Sequence, residues 1–173
     1  MRTGMILCYV GVLAVAACNA QQIAGPAVQS QHQAQDTVIG HLRRTLAALP
    51  PGSVLDATRY AGAGHNSYCG DGVPGPGASV RFHTIGELRV PGDHGTDDAV
   101  AMVGDIWRSW GWEVQQRAGF RTPNRFGHSP DGYRLQIVAA AEAHPPTLQA
   151  SSPCFPRSIA RDDIAVPDVL DAG

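Results

Sequence analysis

The heptapeptide Ser79-Val-Arg-Phe-His-Thr-Ile85 (SVRFHTI) sets Val80, Phe82 and Thr84 on one side of an extended chain and Arg81 and His83 on the other. Successive side chains of a strand point to opposite faces, so this alternation marks a half-buried strand. Tyr133 to Ala139 repeats the pattern with Tyr133, Leu135, Ile137 and Ala139 on one side, and Thr147 to Ser152 can return antiparallel to it across Pro145-Pro146. Trp112 to Gln116 alternates as well, while Val54 to Tyr60 reads as either strand or loop.

Two segments carry a helical period instead. Asp36 can cap a helix whose stripe is Val38, Leu42, Leu46 and Leu49, ended by Pro50-Pro51-Gly52. Thr96 can cap a second, with Asp97 and Asp98 in the first turn where the helix dipole favours carboxylates, Val100, Val103, Trp107 and Trp110 on its apolar face, and Gly111 past its end. Ala61 to Gly77 is rich in Gly and Pro and reads as loop, and Arg117 to Gly132 reads as a long hairpin excursion. The expected fold is α+β, a small antiparallel sheet of about four strands with two helices packed on one face.

The first residues have a different character. Met1 to Ala17 has a short positive start at Arg2 and then an apolar run, the layout of a secretory leader. It is too short to span a hydrocarbon core of about 30 Å with ease. Val15-Ala16-Ala17-Cys18 resembles the lipobox of bacterial lipoproteins, in which small residues fit a peptidase cleft and the following thiol accepts a diacylglyceryl group. Ordinary cleavage at Cys18-Asn-Ala20 is the alternative reading. Two or three acyl chains, each buried methylene contributing about 0.8 kcal/mol, would hold such a protein stably on the membrane. Asn19 to Gln35, with six glutamines and no sustained apolar period, then reads as a tether. The organisation expected is a signal peptide over residues 1–17, a lipidated cysteine and flexible tether over 18–35, one globular domain over 36–157, and a disordered acidic tail over 158–173.

Composition narrows the function. All 13 basic residues are arginine and the formal charge is −2, so no basic field is expected that would hold nucleic acid or an anionic surface, and polyanion binding is not expected. With Cys8 in the leader and Cys18 lipidated, Cys69 and Cys154 remain as an even pair in an exported domain, which favours a disulfide. A metal site or redox pair is the rival, although no C-x-x-C occurs and zinc would need two more ligands. Gly70 to Gly75 (GDGVPG) matches G-x-G-x-x-G formally, but Pro74 and Pro76 forbid the helix start that would bind phosphate. No G-x-S-x-G, H-E-x-x-H, P-loop or EF-hand pattern occurs in the sequence.

Three local clusters invite a functional reading. His83, Glu87, Asp93, His94, Asp97 and Asp98 fall close together and include metal-ligating and proton-sharing types, although helix-end electrostatics and turn chemistry already explain the aspartates. Trp107, Trp110 and Trp112 are either core or an aromatic platform, and periodicity assigns the first two to the core, leaving Trp112 as a contact residue. Arg117, Arg121 and Arg125 lie on the hairpin excursion, where Arg121 and Arg125 can meet a partner.

Taken together, the lipobox, the polar tether, a helix ending in Leu49-Pro50, a loop cysteine, a helix running into WGWEV, then DGYRLQIV and a closing SPC resemble the small actinobacterial, mycobacterial LppA-like, envelope lipoproteins. The resemblance covers about Asp36 to Pro156. It implies lipidation at Cys18, a Cys69–Cys154 bridge and export to the outer face of the cell membrane, and it transfers no catalytic residue. The function expected is therefore that of a lipid-anchored, non-enzymatic binding or scaffolding domain. Its partner would be an envelope protein, lipid or glycan, with no cofactor, metal or nucleic acid. The alternative is a small envelope enzyme or metal-binding protein centred on His83, His94 and Asp97.

Overall fold

The computed structural model describes residues 27–60, 64–70, 74–75, 77–141, 144–161 and 165–173. The expected signal peptide, Cys18 and most of the expected tether lie outside the described residues. The elements are α1 (Gln31–Ala47), β1 (Val54–Asp56), β2 (Gly64–Tyr68), β3 (Ser79–Arg89), α2 (Thr96–Ser109), β4 (Glu113–Gln115), β5 (Asn124–His128), β6 (Arg134–Val138), β7 (Thr147–Ser151), β8 (Phe155–Pro156) and β9 (Val169–Leu170).

All strand pairs are antiparallel, in the order β4-β5-β6-β7-β3-β1-β9, with β2 and β8 also paired to β3. The expectation of about four strands is corrected: among the described residues the sheet has nine. The long strand β3 organises it, taking β8 and then β7 along one flank and β2 and then β1 along the other. Two strands escape the alternation rule for identifiable reasons. On β5 the helix-facing positions are Arg125 and Gly127, because Trp107 of α2 occupies the space a side chain at 127 would fill. On β2 the sequence Gly-His-Asn-Ser-Tyr carries no apolar stripe, and Phe82 of β3 and Val166 occupy the space that a side chain at Gly64 would fill.

The helices cover one face. Val38, Leu42 and Leu46 of α1 and Val100, Val103 and Trp107 of α2 are buried with Val80, Phe82 and Leu88 of β3, Leu135 and Ile137 of β6 and Leu148 of β7. The two helices meet at the Trp107 indole N–H, which donates to Thr45 Oγ1 at 3.2 Å. Capping differs from expectation at both. Ser30, rather than Asp36, caps α1 by accepting from the Gln33 backbone at 3.1 Å, and Gln31, Ala34 and Gln35 are buried, so the end of the glutamine-rich segment is helix and not tether. Gly95, rather than Thr96, sits at the N-cap of α2, its N–H donating to Asp98 Oδ2 at 3.3 Å.

The carboxyl-terminal segment is likewise corrected. Expected to be disordered, it adds β9 against β1: the Ala57 N–H donates to the Asp168 carbonyl at 2.7 Å and Leu170 is buried in the core. Cys69 and Cys154 form a disulfide with Cα atoms 6.2 Å apart, which sets aside the metal reading of that pair. It ties the end of β2 to the entry of β8, both of which pair with β3 at Val80. Closing a loop of this length contributes about 4–5 kcal/mol on the chain-entropy account.

Candidate functional site

With the helices on one face, the opposite face of β2 to β7 is left mostly to polar side chains, with Phe126 and Ile85 among them. Register builds a continuous row across it. Glu113 pairs with His128, His128 with Arg134, Arg134 with Ser151, Ser151 with His83, and His83 with His65. At about 4.8 Å between neighbouring strands, the row is about 24 Å long. Beside it Phe126, Gln136 and Gln149 form a second row, in which Gln136 Nε2 donates to Gln149 Oε1 at 2.6 Å.

A groove of about 270 Å³ opens over these rows, lined by Arg81, Arg117 and Arg134 together with His83, His128, Ser151 and Phe126. None of its lining residues is acidic. Arg117 lies over the Phe126 ring at 4.6 Å and its Nη2 is 3.3 Å from His128 Nε2. A guanidinium has only donors, so Nε2 is the acceptor and the proton of neutral His128 sits on Nδ1, a buried atom with no partner among the described residues. Burial, then Arg117 and Arg134, push the His128 pKa down. His83 stacks edge-on against His65 at 3.8 Å, and burial, then His65 and Arg81, push it down to about 4. Both imidazoles that line the groove are therefore neutral at neutral pH, and its positive charge is carried by arginine.

The expected site residues are scattered. His83 is in the groove, but His94 is exposed in the turn before α2 and Asp97 is exposed in the first turn of that helix. Among the described residues no three His, Cys, Asp or Glu side chains gather as a metal site, so the His83, His94 and Asp97 centre is not assembled. Trp112 is buried, 7 % exposed, stacked on Trp107 and edge-on to His41 at 5.0 Å, and so is not a surface platform. Arg125 runs over Gly104 of α2 on the covered face and donates to Gln116 Oε1 at 2.9 Å, whereas Arg121 is exposed. Of the arginines on the hairpin excursion, it is Arg117 that reaches the groove.

Nucleophilic catalysis would need a nucleophile beside a base. Ser129, Asp131 and His41 come together, but in the wrong order: the Ser129 hydroxyl donates to Asp131 and accepts from the Tyr133 N–H at 2.9 Å, and His41 Nε2 stands 3.7 Å from the far side of the Asp131 carboxylate. This is a turn held by a hydroxyl, with the histidine reaching the carboxylate and not the serine. In the groove, Ser151 and His83 are register partners, and no hydrogen bond joins their side chains among the described residues. What the groove offers is fixed positive charge, planar donors and neutral polar groups on a rigid sheet, which suits binding. No protein-family model matches the chain, and neither a curated protein nor a solved structure matches it.

Proposed function

We propose that this chain is a lipid-anchored envelope lipoprotein of the actinobacterial LppA-like kind, a non-enzymatic domain that binds a ligand on the open face of its sheet at the outer surface of the cell membrane. Lipid on Cys18 would supply the anchor, as the lipobox pattern Val15-Ala16-Ala17-Cys18 suggests. The observation that carries the binding reading is the placement of the helices. They cover one side of the sheet, so the other presents a concave, polar groove whose arginines Arg81 and Arg134 have no carboxylate partner among the described residues. Convergent polar groups held on rigid elements are what fix the orientation of a bound ligand.

A photo-crosslinking residue at Gln149, on the groove wall, tests the reading in intact cells. The expected result is a discrete adduct that is absent when the same residue is placed at Arg43, exposed on α1. Equal labelling from both positions, or none from either, would overturn it. Mass spectrometry of the mature amino terminus tests the anchor: diacylglyceryl on Cys18 is expected, and an unmodified Cys18 rules it out.

A further inference from the structure

The chain carries 15 acidic residues against 13 arginines, so each arginine has carboxylates available in number. Among the described residues three arginines outside the groove use them, and Arg43, Arg44, Arg121, Arg125, Arg157 and Arg161, which do not, are spread over the rest of the fold. Arg59 pairs with Glu87, Arg89 with Asp56 at 3.1 Å and with Glu87 at 3.4 Å, and Arg108 with Asp105 at 2.6 Å. What distinguishes the groove is convergence: Arg81 and Arg134 make no ion pair and no hydrogen bond among the described residues, and the Arg117 guanidinium meets only a histidine and an aromatic ring. Three guanidinium groups from separate segments thus line one concavity with no carboxylate in its wall. The nearest acid on the row is Glu113, at the far edge beyond His128.

Resting on the reading of this face as a binding face, we infer that the groove is a site for a small, soluble phosphate-bearing anion. A carboxylate is satisfied by one guanidinium fork, whereas three forks suit a group with three acceptor oxygens and up to two charges. Ser151 and Gln149 add neutral donors on the same wall, and a volume of about 270 Å³ admits a compact molecule. A free species fits better than a bilayer headgroup. Of the large apolar side chains exposed among the described residues, Tyr68 lines the groove, Phe120 packs on the Phe126 ring at 4.8 Å and Val169 lies away on β9, and two aromatic rings fall short of the broad apolar face that seats a protein in acyl chains. Bound phosphate would also face His83 and His128 directly. Its charge would oppose that of Arg81, Arg117 and Arg134 and raise both imidazole pKa values, while His65 and Glu113 bound the row at its ends.

The test uses the full chain, oxidised at Cys69 and Cys154, in detergent micelles. Side-chain nitrogen NMR signals of the arginines and histidines are followed while sodium phosphate replaces sodium chloride at constant ionic strength. Saturable shifts at Arg81 and Arg134 with a raised His83 pKa are expected, weakened about tenfold or more by Arg134→Gln and by Arg81→Gln, since each removes a charge-assisted donor. Arg121→Gln, outside the groove, should leave the affinity as it was. Shifts that never saturate, or that survive both groove variants, would overturn the inference. So would groove signals that answer to phosphatidylglycerol vesicles more than to phosphatidylcholine vesicles and ignore free phosphate, because the source would then be a headgroup. Silence toward phosphate with a Gln149 adduct intact would reject the anion and leave the binding face standing, whereas the absence of both would reject both.

Discussion

Two glycines on the covered side of the sheet meet equally close neighbours and should nevertheless respond differently to a methyl group. An ideal Cβ on Gly127 of β5 would lie 2.7 Å from Trp107 Cε3 and 3.2 Å from Cδ2, and one on Gly104 of α2 would lie 2.8 Å from Arg125 Cγ. Trp107 has nowhere to go: it is fully buried, its indole N–H is held by Thr45, and Trp112 stacks on it at 6.2 Å. Gly127→Ala therefore overpacks a rigid contact at a cost of about 1–3 kcal/mol, of which the lower chain entropy of alanine in a strand returns about 0.5–1. Arg125 is half-buried, and its stem can rotate away from a new methyl group at 104. That movement risks its hydrogen bonds to Gln116 and the Asn124 carbonyl, worth about 0.5–1.5 kcal/mol each, against a helix-propensity gain of about 1 kcal/mol. Urea unfolding followed by tryptophan fluorescence should give a net loss of about 1–2 kcal/mol for Gly127→Ala and a change near zero for Gly104→Ala. Equal losses, or a larger one for Gly104→Ala, would refute the claim that mobility of the neighbour sets the sign.

Glu87 is 4 % exposed and flanked by the half-exposed Arg59 and Arg89, so removing a partner should cost more than removing the charge itself. Arg59→Met is expected to destabilise by about 2–3 kcal/mol and Glu87→Gln by about 1, with the double variant near the milder single, as a double-mutant cycle in urea will show. Reduction of Cys69–Cys154 should lower stability by about 4–5 kcal/mol, read as the difference in unfolding free energy with and without reductant. Acid should destabilise the fold through His83. Its unfolded pKa is about 6.5 and its folded pKa, set by burial, His65 and Arg81, about 4, so between these values the unfolded chain binds a proton that the folded chain does not. Stability should fall as pH drops from about 6.5 to about 4 and level off below, by less than the roughly 3 kcal/mol of the full shift because solvent screens this partly buried ring, and His83→Gln should flatten the slope. His41 and His128, also lowered chiefly by burial, leave a shallower slope of the same sign in that variant.

Strands were legible in the sequence where one face is built from apolar side chains. Val80, Phe82 and Thr84 on β3, Leu135 and Ile137 on β6 and Leu148 and Ala150 on β7 alternate because the helices lie on those positions. On β5 the helix contributes the bulk, Trp107, and the strand contributes Gly127, so the apolar signal at that contact sits on the wrong element for a strand reading. For β2 and β9 the signal is lost for other reasons. Gly64–Tyr68 is fixed by pairing with β3 and by the neighbouring disulfide, and Val169–Leu170 has only two residues in which to alternate. Helix ends shifted because Asp36 and Ser30 both suit a cap. The tie is broken by the burial of Ala34 and Gln35 and by Gln35 Nε2 donating to the Ala165 carbonyl at 2.9 Å, a contact that exists only after folding.

The groove was harder to see than the fold because its charge is local and the sequence reports only the total. Arg81, Arg117 and Arg134 lie far apart along a chain of formal charge −2, and nothing in their neighbours sets them off from Arg59 or Arg108. They come together because β6 pairs with β5 and β7, while β7 pairs with β3, which puts Arg134, His128, Ser151 and His83 on one row with Arg117 and Arg81 beside it. The acids that would cancel them are elsewhere. Asp97 and Asp98 lie in the first turn of α2, Asp56 and Glu87 face Arg89 and Arg59, and Asp105 holds Arg108. With Glu113 at the β4 edge and the other acids of these pairs committed to helix ends and to the β1 side, the sheet keeps an unbalanced positive field over β3, β6 and β7. Net charge therefore excludes a basic protein without excluding a basic site, and only strand register distinguishes the two.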